Sequence, residues 1–281
     1  MQENQILASF KSYMLAERKS RYTIKEYLFL VGHFLEYIGK DLKLVDSSDI
    51  ERFKKYLATE KNYSKNSQYL AIKAIRLLYR SRSVQPPANL TPPKRSRKMP
   101  IYLSEAEAHQ LIQAAAHELR ELAMVSMLLY TGIRVGELCN LDVDDIDLDT
   151  GIVRIMAGKG DKDRIVIMSK EIHAVMSKYI SERQEAGMDN RALFLSSRRR
   201  RLDTSTVERI IRGISIEANL QKRVTPHVLR HTFATSVLRN GGDIRFIQQI
   251  LGHSSLATTQ IYTHIDENVL KEMYEKYGPK F

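Results

Sequence analysis

The sequence predicts a mainly α-helical fold with a small β-sheet, divided between two domains. Three observations carry this. Apolar residues recur at helical spacing through most of the 281 residues, five of the seven prolines crowd into one stretch, and one short region switches to β-branched residues. That length exceeds a typical single domain and favours two. Pro86, Pro87, Pro92, Pro93 and Pro100 lie in QPPANLTPPKRSRKMP, together with Lys94, Arg95, Arg97 and Lys98. Proline removes amide donors and restricts the preceding residue, so neither a helix nor an interior strand passes through this stretch. It is read as a linker over 85–100, separating a helical domain at 1–84 from a larger one at 101–281.

Four helical segments precede the linker: Ile6 to Ala16, Ile24 to Ile38, Ile50 to Ala58 and Gln68 to Tyr79. Thr23 is read as the start signal of the second, Ser48 with Glu51 as a capping box for the third, and Ser64 as the opening of the fourth. After the linker, Ser104 and Glu107 form a further capping box. Leu119 to Tyr130 reads as a buried helix ended by a turn at Thr131 and Gly132. IVRIMAG and RIVIM flank KGDKD as a hairpin with Lys159 near its tip. Helical spacing returns near 170–186, 205–219, 226–240, 243–251 and 255–262, with Thr225 as cap and Pro226 at the first helical position. The run Arg198 to Arg201 is read as an exposed loop.

Forty-four Lys and Arg against 33 Asp and Glu leave a formal charge of +11, which points to a polyanionic partner without naming it. Hydrophobic residues at 43% and charged residues at 27% exclude a disordered or membrane-embedded chain. MQENQILASFKSYM lacks a basic segment followed by a long apolar run, so an intracellular protein without membrane association is expected. The single cysteine, Cys139, forms no intrachain disulfide and is expected to be a small buried side chain.

Four local patterns bear on chemistry. In TGIRVGELCNL, Arg134 and Glu137 stand three apart at a helix start and share a face, so the carboxylate can hold the guanidinium as a fixed fork for a phosphate. In TPHVLRHTFAT, His227 and Arg230 are again three apart, just inside a helix N-terminus, where free amides favour anions. His231 is placed on a different face as a structural residue. In LGHSS and TTQIYTH, His253 precedes Tyr262 by nine residues, across a turn. Lys159 lies between two glycines at the hairpin. Each pattern alone has an ordinary reading: surface ion pair, packed histidine, core tyrosine, solvated lysine.

Taken jointly and in this order, these residues resemble the tyrosine recombinase, or phage integrase, family. The stretch 225–264 is similar to that family's C-terminal signature almost throughout, and KSRYTIKEY resembles its N-terminal core-binding domain. Within the family, RVGELCNL, LGHSSLATTQIYTH and the two-domain layout are nearest to the Xer subgroup, bacterial and archaeal recombinases that resolve chromosome dimers. The resemblance implies a C-shaped clamp on double-stranded DNA, built from a SAM-like core-binding domain and a mixed α/β catalytic domain, in the cytoplasm at the nucleoid. It implies transesterification without a cofactor or metal. Tyr262 would attack the phosphorus to give a 3′-phosphotyrosine, and Arg134, Arg230 and His253 would hold the phosphate oxygens. Lys159 would protonate the leaving 5′ oxygen, His227 would act as acid/base partner, and Glu137 would orient Arg134 or His227. Lys94, Arg95, Arg97 and Lys98 would meet DNA. Four protomers would assemble on two sites, with the C-terminal helix in DENVLKEMYEKYG reaching a neighbouring protomer or packing on its own domain. A second recombinase or a DNA translocase would be a possible further partner. A mobile-element integrase or invertase, a type IB topoisomerase and a non-catalytic accessory DNA-binding protein remain as alternatives.

Overall fold

The computed structural model describes residues 2–94, 100–156, 163–243, 247, 250–251 and 267–281. The chain divides into two compact units, Met1–Met99 and Pro100–Phe281, each with its own apolar cluster.

The first unit is built from α1 (Gln2–Ala16), α2 (Arg21–Ile38), α3 (Ser47–Thr59) and α4 (Lys65–Ser81). Their apolar faces meet in a core that includes Phe10, Val31, Phe34, Ile50, Phe53, Ile72, Ile75 and Tyr79, all buried. Two caps differ from expectation. Ser20 rather than Thr23 caps α2, accepting from the Thr23 amide, so Thr23 lies within the first turn. At α3 the reciprocal box is Asp46 with Asp49, two residues earlier than Ser48 with Glu51. Asp49 is buried and also bound by Lys40 and Arg52, a web that a solvent-facing Glu51 could not have supplied. Ser64 caps α4 as expected. Leu90 belongs to this core, and Lys54 donates to the Asn89 carbonyl at 2.7 Å, so the proline-rich stretch begins folded against the first unit.

The second unit contains α5 (Glu105–Ala115), α6 (Leu119–Thr131), α7 (Val135–Asn140), β1 (Ile146–Asp147), β2 (Ile152–Ile155), β3 (Arg164–Ile167), α8 (Lys170–Glu185), α9 (Thr204–Glu217), α10 (Pro226–Arg239) and α11 (Glu267–Tyr277). The Ser104–Glu107 box starts α5, and Thr225 with Pro226 starts α10, as the sequence indicates. The mainly helical class with a small sheet is therefore observed. The sheet is antiparallel in the order β1-β2-β3, with Val153 opposite Val166 and Ile155 opposite Arg164. β1 is an addition to the expected hairpin, and it joins β2 through a turn in which Gly151 has φ +70°.

α6 is the centre of this unit. Every residue from Ala123 to Thr131 is buried, because α5, α8 and α10 pack around it. Full burial of a leucine such as Leu128 or Leu129 contributes roughly 1.5–3 kcal/mol, which holds the end of α6 in place. Arg198–Arg200 are exposed, as expected of a basic loop, but Arg201 is not part of a free loop. It donates to the Cys139 and Leu141 carbonyls, each at 3.0 Å, and pairs with Asp142, tying the loop to the end of α7. Cys139 is buried, and that burial pushes its thiol up to about 11. Among the described residues, no helix is long and apolar enough to cross a membrane.

Candidate active site

The junction of α6 and α7 creates the site. α6 ends at Gly132, whose φ of +64° lets the chain turn sharply and whose amide returns to the Leu128 carbonyl. A side chain there has no room: a Cβ would lie 2.4 Å from Phe233 Cδ1 and 2.8 Å from Leu251 Cδ2. Two residues later Arg134 stands at the N-cap of α7.

Glu137, on the first turn of α7, organises what surrounds it. Its Oε2 accepts from the Arg134 backbone amide at 2.7 Å, and its Oε1 accepts from Arg134 Nη1 at 2.8 Å. The same carboxylate receives Arg164 Nη1 at 2.8 Å and Nη2 at 2.7 Å, a two-pronged pair from the start of β3. Burial would push the Glu137 carboxyl up, but the bonds from Arg164 and the Arg134 amide dominate and hold it down at about 2. The carboxylate is therefore an anion at neutral pH.

Arg230 lies on the buried face of α10, which packs on α6. Its Nη1 donates to the Gly132 carbonyl at 2.6 Å and its Nη2 to the Leu251 carbonyl at 2.7 Å. Burial and then the positive charge of Arg134 pull its pKa down to about 10; Glu137 opposes them more weakly than Arg134 acts, and Arg164 adds the smallest lowering. The four side chains thus share one electrostatic site: three guanidiniums and one carboxylate, a local charge of +2. Such a site is poised for a multiply charged anion, since its cations are already partly desolvated and held in place.

His227 is the second residue of α10 and is exposed, one turn ahead of Arg230. His231 does not sit on a different face. Four residues advance a helix by about 400°, so the two rings lie together, 4.4 Å between centroids, with Nε2 to Nε2 at 3.2 Å. One ring of the pair must donate and the other accept. Lys94 is exposed. Lys159, His253, Tyr262, Arg95, Arg97 and Lys98 lie outside the described residues. Arg164 escaped the sequence reading, which took RIVIM only as a strand. An arginine opening an apolar, β-branched strand was the available signal, because a charge there needs a partner. Among the described residues, no cluster of three or more His, Cys, Asp or Glu could hold a metal ion.

Residues 102–268 match the phage integrase family, and residues 6–85 match the phage integrase N-terminal SAM-like domain. The chain belongs to the phage integrase family. The recombinase is 37% identical to the tyrosine recombinase XerA of Thermococcus kodakarensis over 278 residues, 97% of this chain and 95% of that one. It resembles a crystal structure of XerA recombinase at 57% identity and a TM-score of 0.55, covering 99% of this chain and 100% of that one. It also resembles the XerH site-specific recombinase bound to its difH substrate, at 25% identity and a TM-score of 0.68, over 89% of this chain and 77% of that one. As a site-specific tyrosine recombinase it binds DNA, and it cleaves and rejoins it by transesterification.

Proposed function

We propose that this recombinase resolves chromosome dimers at a dif-like site, with Tyr262 as the nucleophile that forms a 3′-phosphotyrosine. The observation that carries the site assignment is the meeting of Arg134, Arg164 and Arg230 around Glu137 with a local charge of +2. A phosphodiester brings one negative charge and gains more as the tyrosine oxygen attacks, so a fixed cationic site stabilises the transition state more than the ground state. Arg134 and Arg230 hold the non-bridging oxygens, and His253 donates a further hydrogen bond. His227 takes the phenol proton, and Lys159 returns one to the departing 5′ oxygen. Glu137 touches no DNA, because four donors already occupy its carboxylate. The phosphotyrosine conserves the energy of the broken bond, so a 5′ hydroxyl from another strand reseals the DNA without ATP.

Lys94, Arg95, Arg97 and Lys98 supply backbone phosphate contacts. Four protomers on two sites exchange strand pairs in turn through a Holliday junction, and the C-terminal helix passes to a neighbouring protomer in that assembly. The difH complex of a relative supports the choice of a dif-like target.

The test is a nicked suicide duplex carrying a dif-like site, incubated in EDTA with wild-type protein or Tyr262→Phe and resolved on a denaturing gel. A covalent DNA adduct from the wild type alone is the expected result. An equal adduct from Tyr262→Phe overturns the nucleophile assignment, whereas reaction only at mobile-element ends replaces the chromosomal target with an integrase's.

A further inference from the structure

We propose that Arg164 is a positioning residue for strand cleavage, acting on the scissile phosphate through Glu137 and Arg134. The inference rests on the reading of Arg134 as a phosphate clamp. All three guanidinium nitrogens of Arg164 are engaged. Nη1 and Nη2 meet the two Glu137 oxygens at 2.8 and 2.7 Å, and Nε meets the Ile250 carbonyl at 2.8 Å. Its side chain is only 11% exposed. A planar fork held through all three nitrogens by a carboxylate and a carbonyl is fixed in orientation, and it transmits that orientation to its partner.

Glu137 is that partner, and its other two bonds go to the backbone amide and Nη1 of Arg134. The Arg134 side chain is 38% exposed and is a long, rotamer-rich group. The Glu137 bonds constrain its aim, and the carboxylate would itself turn toward the two remaining donors if Arg164 were lost. Arg164 also binds the helical turn at Ile250. Ile250 and Leu251 are consecutive helical residues whose carbonyls receive Arg164 and Arg230 respectively. Two arginines from different elements, β3 and α10, therefore bind the same stretch of chain, which leads in sequence to His253. A lysine in place of Arg164 would retain the charge but could not make the three bonds together.

The experiment measures single-turnover cleavage of the suicide duplex, DNA affinity and thermal stability for wild type, Arg164→Met and Arg164→Lys, each also in an Arg134→Lys background. The expected result for Arg164→Met is cleavage slowed roughly 10–100-fold with DNA affinity changed by less than about 3-fold. Arg164→Lys falls between Met and wild type. In the Arg134→Lys background, removing Arg164 slows cleavage by less than about 3-fold, because the residue it positions is already gone. A salt bridge that merely holds β3 to α7 would give the same slowing in both backgrounds, and that result overturns the proposal. So does an undiminished rate in Arg164→Met. If the methionine variant is unfolded at the working temperature, the lysine variant carries the same comparison. A wild-type protein that forms no adduct overturns the active-site reading and this proposal with it, whereas active wild type with an indifferent Arg164 overturns the proposal alone.

Discussion

Glu137 offers about four lone-pair directions, and its four hydrogen bonds use them with donors from a backbone amide and two arginines. This makes it a structural anion, and its titration should register in stability. Its folded pKa, about 2, lies below the ordinary 4.5, so its contribution is complete above about pH 4.5 and is lost as pH falls toward 2. Glu137→Gln should cost roughly 3 kcal/mol at neutral pH, where it leaves Arg164 without its counter-charge. The cost should shrink in acid until the wild type and the variant melt alike near pH 2. Urea unfolding of both proteins between pH 7 and 2 measures this, and a gap that stays constant with pH would refute it. The pairing of Glu137 with Arg134 was legible in the sequence, because three residues on one helix turn fix their proximity. The pairing with Arg164 was not, since the two stand 27 positions apart with β1 and β2 between them and no local spacing encodes the approach. His231 shows the reverse case: helical geometry alone puts it beside His227, and only the local reading misplaced it.

The helices show where local signals suffice. Ser64, Ser104 and Thr225 cap the helices they were expected to cap. Ahead of α2 and α3 several Ser, Thr and Asp residues compete within a few positions. Burial decides between them: Asp46 with Asp49 brings an acid inward to Lys40 and Arg52, and Ser20 lets α2 start a turn before its first core residue, Ile24. α11 illustrates the limit of amphipathicity. The sequence marks it as a short helix with an apolar face but leaves open whether that face meets its own domain or a neighbour. In this structure it meets its own. Tyr274 is buried and donates to the Tyr130 carbonyl, burial holding its phenol protonated, while Tyr130 donates to the Phe281 carbonyl and stacks edge-on against Phe281. Tyr274→Phe removes one buried bond and leaves the Tyr130 carbonyl unpaired, so it should lower stability by about 1–2 kcal/mol. Chemical denaturation reads that loss, and an unchanged midpoint would mean that α11 is not held there in solution.

Each of the two units closes its own apolar core, with 20 buried residues in the first cluster and 41 in the second among the described residues. A fragment spanning residues 100–281 should therefore fold alone and unfold in one cooperative transition, because Leu103, α5 and α11 all pack within it. Circular dichroism during thermal melting of that fragment checks it, and a broad, non-cooperative melt would refute it. The helical class, the small sheet, most helix positions and the family were all readable from the chain, since periodicity, caps and an ordered set of motifs are local properties that survive without coordinates. The meeting of Arg134, Arg164, Arg230 and Glu137 was not readable in full. It depends on how β3, α7, α10 and the helical turn at Ile250 and Leu251 pack around the end of α6, where Gly132 leaves room for Phe233 and Leu251. Sequence spacing orders residues along one element, but the charge balance of a site is set by elements brought together from distant parts of the chain, and only their packing determines it.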